Sequence, residues 1–121
     1  MENTQTQSNQ VRGRIVILNA LPLNAFNARS VHLEVTRIDI ASLATWVNER
    51  LAEGYTLTHY IRHPATVQVL RELGVPLEMP NTDLYRYRSG DVLVVITLNL
   101  PQRGQEVQVR PEDLAVWIVR I

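Results

Sequence analysis

The sequence predicts one α/β or α+β domain, a single mixed sheet with helices packed against it. Three observations predict it. Of the 121 residues, 45% are hydrophobic and 20% charged, the balance of a chain that buries a core. Two stretches carry apolar residues at helical spacing and close on glycine. Between and around them run short β-branched segments, with no internal repeat.

The elements follow in order. Residues 1-MENTQTQSNQ-10 are polar and lack bulky apolar groups, so a disordered tail is expected over 1–12 and a single domain over 13–121. The run 14-RIVIL-18 suits a strand buried on both faces. The stretch 19-NALPLNAFNARS-30 reads as an unusually long loop. In 31-VHLEVTRI-38, Val31, Leu33 and Val35 alternate with polar residues, the pattern of a half-buried strand. Asp39 then reads as an N-cap. Ile40, Leu43, Ala44, Val47 and Leu51 fall on one helical face, and Gly54 ends that helix.

The segment 55-YTLTHYI-61 alternates again, as a strand or an extended connector. From Pro64, Val67 and Leu70 mark a short helix that Gly74 ends. A turn region, 75-VPLEMPN-81, leads through 84-LYRY-87 and the Ser89-Gly90 turn into the strongest strand, 91-DVLVVITLNL-100. A polar loop with Pro101 and Gly104 follows, then one helical turn at 111-PEDL-114 and a last strand, 115-AVWIVRI-121.

Composition narrows the function classes. Formal net charge is zero, so no overall field draws the chain to nucleic acid or an anionic membrane, and duplex DNA is a poor partner. All 12 basic residues are Arg, whose planar fork suits phosphate oxygens. There is no Cys, which removes disulfides, thiolate catalysis and Cys-based metal sites and fits an intracellular protein. The run 12-RGRIVILNALPL-23 mimics a signal peptide, but Asn19 and Pro22 interrupt it, and no stretch is long enough to span a bilayer. No His/Asp/Glu set has metal-ligand spacing, and no nucleophile elbow, phosphate loop or dinucleotide fingerprint occurs. The enzymatic route left is metal-free, with no cofactor.

His63 carries the main chemical signal. Pro64 suits the first helical position, which places His63 at the N-cap, where free N–H groups and the helix dipole favour an anion over an imidazolium. Two readings stand: a capping residue with no further task, or a proton-transfer group beside a docked phosphodiester. Asn19 ends the first buried strand, where ligand sites gather in α/β sheets, and reads either as a ligand contact or as a turn residue. Arg62, Arg86, Arg88 and Arg103 surround a phosphate only if they converge in space. His32 and His59 carry no comparable signal.

With these residues in view, the chain resembles a known family. The resemblance rests on a first strand ending in 17-ILNA-20 and on 62-RHPATVQVL-70 against the family's Gly-His-x-x-Thr-x-x-Leu pattern. Asn81, the strand over 91–100, the loop with Gly104 and the Pro-Glu-Asp-Leu turn follow in the same order. The chain is similar, over about residues 14–121, to the small archaeal-virus and mobile-element proteins that include the viral anti-CRISPR ring nucleases.

The resemblance implies a five-stranded mixed sheet flanked by helices and a homodimer binding cyclic tetra-adenylate across its two-fold axis. It also implies a metal-independent cleavage that silences type III CRISPR signalling, within the host cytoplasm if the protein is viral. A ribose 2′-OH of the substrate would attack the adjacent phosphorus, giving linear products with a 2′,3′-cyclic phosphate. His63 matches the family's catalytic histidine and Asn19 its ligand-binding asparagine. Asn81, with Arg62, Arg86 or Arg103 as replacement positive groups, would complete the ligand contacts.

This sequence also departs from the family. Arg62 replaces the Gly before the histidine, Pro22 a frequent Ser, and Asn81-Thr82 an Asn-Arg pair. The Arg and Glu expected after the fourth strand fall on Leu100 and Arg103, leaving Glu106 as the acid nearby. These departures keep two alternatives open. One is a dimer that sequesters a cyclic oligonucleotide or other nucleotide without cutting it. The other is a nucleic-acid-binding or protein-interaction dimer.

Overall fold

The computed structural model describes residues 12–99 and 109–121. Its elements are β1 (Arg14–Leu18), β2 (Glu34–Ile38), α1 (Ile40–Ala52), β3 (Thr56–His59), α2 (Pro64–Glu72), β4 (Asp91–Leu98) and β5 (Leu114–Arg120). Single 3-10 turns occupy Leu23–Ala25 and Pro111–Asp113. The strands form one five-stranded mixed sheet in the order β2-β5-β4-β1-β3. β1 lies parallel to both β3 and β4, whereas β5 is antiparallel to β4 and to β2, so β5 alone runs against the rest.

Period-two alternation sends the strand side chains to two cores. On one face Ile15, Ile17, Val92, Val94, Ile96, Val116 and Ile118 meet Leu43 and Val47 of α1 and Val67 and Leu70 of α2. On the other, Val16, Leu18, Leu93, Val95 and Val119 meet Ala25 and Tyr85. Among the described residues no α-helix covers that second face. The long 19–33 loop does, through Leu21, Ala25, Phe26 and Leu33, together with Tyr60, Tyr85 and Tyr87. Its length is thereby explained, because it roofs a sheet face that would otherwise expose apolar side chains.

Helix boundaries follow the sequence closely. Gly54 and Gly74 follow the last turns of α1 and α2 with φ of 105° and 104°, the left-handed region open to glycine. Asp39 occupies the N-cap of α1, but its carboxylate makes no capping bond; its backbone carbonyl takes the Ser42 N–H at 2.9 Å. The 31–38 stretch differs more from expectation. β2 begins only at Glu34, and its residues are exposed apart from the half-buried Ile38. It is an edge strand paired to β5 alone, and no described element lies over Val35. Of the expected tail over 1–12, residues 1–11 lie outside the described residues, as do the loop with Pro101 and Gly104 and residue 100 of the predicted 91–100 strand, whose observed counterpart ends at Leu98. Among the described residues no helix is long and apolar enough to cross a membrane.

Candidate functional site

The parallel strands β1, β3 and β4 end at one edge of the sheet, where the connections to following elements leave a concave space. A cleft of about 220 Å³ opens there, lined by Asn19, Ile61, His63, Thr66, Ile96, Leu98 and Leu114. Asn19 is the first residue after β1, His63 is the N-cap of α2, and Leu98 is the last residue of β4. Two side chains singled out in the sequence therefore share one hollow, although 44 positions separate them in the chain.

The capping geometry assigns the tautomer of a neutral His63 ring. Its Nδ1 accepts the Thr66 backbone N–H at 3.3 Å and lies 3.0 Å from Thr66 Oγ1. A nitrogen that accepts cannot carry the ring proton, so the neutral capped imidazole holds it on Nε2. Nε2 makes no hydrogen bond to any described residue, and the ring is exposed. Capping and presentation to the cleft are thus compatible, and the two readings of His63 no longer exclude each other. Thr66 is the residue that sequence reasoning left without a role. It is buried and touches His63 through both its backbone and its hydroxyl. Its place three residues after an N-cap was the available signal.

The other candidates lie elsewhere. Arg62 is exposed and donates from Nη2 to the Thr82 carbonyl at 2.7 Å, which ties the 75–90 segment to the start of α2. Asn81 braces the same segment on the edge strand β3. Its backbone N–H and its Nδ2 donate to the His59 carbonyl at 2.9 and 3.1 Å, and Nδ2 also donates to Thr58 Oγ1. Arg86 projects from the segment covering the far sheet face and lines a different hollow with Arg14 and Arg88. The described Arg candidates therefore do not converge on His63. Arg103 and Glu106 lie outside the described residues. His59 is buried and doubly bonded: Nε2–H donates to the Glu78 carbonyl at 2.6 Å and Nδ1 accepts the Ile61 N–H at 3.3 Å. His32 is exposed and precedes β2. Among the described residues no group of three or more His, Cys, Asp or Glu could hold a metal ion.

A buried ionic cluster on the far face was not anticipated. Asp91 opens β4 with 5% of its surface exposed and accepts four hydrogen bonds. Arg14 supplies two, from Nε at 2.9 Å and Nη2 at 2.8 Å; the Tyr85 hydroxyl supplies one at 2.5 Å and the Arg88 N–H one at 3.0 Å. Burial pushes the Asp91 carboxyl up, but the bonds from Arg14, Tyr85 and Arg88 outweigh it and hold the group below its ordinary value. Burial, then the bond to Asp91, pushes the Tyr85 phenol far above the usual tyrosine range. The signal in the sequence was an acid placed at the head of the most apolar strand.

No protein-family model matches the chain, and no curated protein matches it in sequence. The structure is similar to that of B116 of Sulfolobus turreted icosahedral virus, with a TM-score of 0.69 and 18% sequence identity. The match covers 88% of this chain and 98% of the viral protein. At that identity the likeness is one of fold, and it spans nearly the whole of both chains.

Proposed function

We propose that the chain is a metal-independent ring nuclease that acts as a homodimer on cyclic tetra-adenylate, with His63 as its proton-transfer residue and Asn19 as a ligand contact. The observation that carries this reading is the shared cleft, in which an exposed histidine and an exposed asparagine meet where three parallel strands end. A cleft of about 220 Å³ is too small to enclose four nucleotides, and sits below the ~300–1,000 Å³ of sites that engulf a drug-sized ligand. One linkage of the ring would enter each cleft, and a two-fold axis would present the cleft twice.

In the reaction the ribose 2′-oxygen forms a bond to phosphorus while the bond from phosphorus to the leaving oxygen breaks. One proton leaves the 2′-hydroxyl and one reaches the leaving oxygen. The capped His63 tautomer offers Nε2–H to a phosphate oxygen, which stabilises charge without transferring a proton. To take the 2′-hydroxyl proton, Nε2 must be bare, so the ring proton must sit on Nδ1. The Thr66 hydroxyl, 3.0 Å away, can then turn and accept it. Thr66 is the pivot between the two states.

Incubation of the protein with cyclic tetra-adenylate in EDTA tests the proposal. Linear product from the native protein and none from His63→Ala is the expected result; undiminished cleavage by His63→Ala removes His63 from the chemistry. A second reading is binding without cleavage. It is favoured by the cleft lining, in which His63 is the one ionisable side chain among the described residues, so none of these supplies a guanidinium to oppose the charge of a phosphorane. Calorimetric uptake of the ligand without turnover would establish that reading instead.

A further inference from the structure

The segment between α2 and β4 lies along the helix-free face of the sheet with alternating burial. Tyr85 is buried and Tyr87 half-buried, whereas Leu84, Arg86 and Arg88 are exposed. The outward row borders two hollows that share Leu84 and Arg86. One, of about 340 Å³, is lined by Arg14, Tyr60, Asp83, Leu84, Arg86 and Arg88. The other, of about 430 Å³, adds an apolar shelf from Pro22, Leu23 and Ala25. Leu23 and Leu84 are 70% and 80% exposed, large apolar side chains that both line this hollow.

The charge balance of this trough is positive. Asp91 neutralises Arg14, which leaves Arg86 and Arg88 against the single carboxylate of Asp83. Among the described residues neither Arg86 nor Arg88 forms a salt bridge. Arg14 is also held rigidly. Its Nε and Nη2 are fixed on Asp91, Nη2 reaches the Arg86 carbonyl at 3.3 Å, and its Cζ lies 5.7 Å from the Tyr85 ring centre. Its Nη1 makes no hydrogen bond to a described residue. A guanidinium oriented in advance loses little freedom when it meets an anion, and two further Arg residues flank it.

We propose that this trough is a second binding site, separate from the His63 cleft, for a phosphomonoester carried on a flat apolar body, the chemistry of a nucleoside 5′-monophosphate. The phosphate sits among Arg14, Arg86 and Arg88, taking one contact from the free Nη1 of Arg14 and bidentate contacts from the Arg86 and Arg88 forks. The base lies on the shelf between Leu23 and Leu84. A free nucleotide and the 5′ end of an RNA chain present the same group. The proposal is independent of the ring-nuclease reading, because none of these residues lines the His63 cleft.

Calorimetric titration of the full chain with adenosine 5′-monophosphate, adenosine and inorganic phosphate tests it. The monophosphate should bind more tightly than either fragment. Arg86→Gln combined with Arg88→Gln should weaken it by at least about tenfold, since charge-assisted hydrogen bonds are lost, and Leu84→Ser by a smaller factor. His63→Ala should leave this Arg-dependent binding in place. The substituted residues are exposed, and a urea midpoint close to that of the native protein confirms that the fold is kept. A short RNA with a 5′-phosphate, compared with its 5′-hydroxyl form, separates the sources. Arg-dependent preference for the phosphorylated RNA over the mononucleotide identifies a chain end, and the reverse preference a free nucleotide. Failure of the monophosphate to bind, binding that survives the double Arg substitution, or binding abolished by His63→Ala would each overturn the proposal.

Discussion

Replacing Asp91 with Asn keeps the shape of the side chain and removes its charge. In the native protein two carboxylate oxygens accept four donors, two of them from the Arg14 guanidinium. An amide offers one accepting oxygen and turns an NH₂ group toward the other donors, so at least one donor is left facing another. Taking one partner from a buried ion pair costs ~3–5 kcal/mol. The Asp91 side chain is 1% exposed but that of Arg14 is 20% exposed, so water screens the orphaned cation and the lower end applies, about 3 kcal/mol. For a domain of this size that is a fall in Tm of roughly 10 °C, and a drop in the urea midpoint of about 2 M. The sign of the pH dependence follows from the depressed carboxyl. Its contribution is complete above the unfolded value of 3.8 and is lost as pH falls through the lower folded value. Urea unfolding of both proteins should therefore show a constant gap between about pH 5 and pH 8 that closes below about pH 4. A gap under ~0.5 kcal/mol, or one as wide at pH 3 as at pH 7, would refute the account of this cluster as an ionised, four-donor network.

Four further predictions concern the same cluster, the strand starts and the cleft. Because the folded Tyr85 phenol titrates far above the usual range, native stability should fall as pH rises above about 10, and an alkaline ultraviolet titration should show one tyrosine ionising only on unfolding; Tyr85→Phe should delete that late step. Gly13→Ala should destabilise by ~1–3 kcal/mol in urea, because a Cβ at Gly13 would lie 2.2 Å from the Gly90 carbonyl oxygen, a backbone atom that cannot move without displacing the start of β4. His63→Asn should keep the α2 cap and leave the urea midpoint nearly unchanged, whereas His63→Ala should lose about 1 kcal/mol; both should lose ring cleavage by roughly a hundredfold or more. Thr66→Val retains the backbone N–H that caps on Nδ1 but removes the hydroxyl; it should lower the cleavage rate by ~10–100-fold while ligand affinity, read by calorimetry, stays within about threefold.

The elements were legible where one local rule decided them. Leu43 and Val47 at helical spacing, Pro64 at a first turn, and Gly54 and Gly74 beyond the last turns each act within a few residues. The neighbours of a strand are set by distant chain, and here the sequence said less. The alternation in 31–38 correctly marked a strand but not its exposure, because burial of Val35 depends on whether an element lies over that edge of the sheet. The long 19–33 loop looked anomalous for the same reason: its partners, Tyr85, Tyr87 and the face of β1 and β4, are remote in sequence. Asp91 was hidden because an acid after Ser89-Gly90 reads as an ordinary turn residue, and its main partner Arg14 lies 77 positions away. In the cleft, His63 and Asn19 could be named from helix and strand ends. The positions of Arg62, Asn81 and Arg86 could not, since long polar side chains on an extended segment face whichever side the segment turns outward.

The structure also changes how His63 is understood. The free backbone N–H of a helix start needs an acceptor, and Nδ1 provides it; this interaction is worth about 1 kcal/mol. It holds the neutral ring with its proton on Nε2, a hydrogen-bond donor toward the cleft. A phosphate oxygen arriving there strengthens the capped state. A 2′-hydroxyl arriving as a proton donor opposes it, because the lone pair it needs exists only after the ring proton has moved to Nδ1 and the cap is released. Binding and proton abstraction therefore draw on different tautomers of one side chain, separated by roughly the energy of the cap. Such a cost slows a reaction by about fivefold and does not forbid it. On the proposed reading, the geometry at α2 makes proton abstraction costlier than contact with a phosphate, and the hydroxyl of Thr66, able to donate in one state and accept in the other, is what keeps both states within reach.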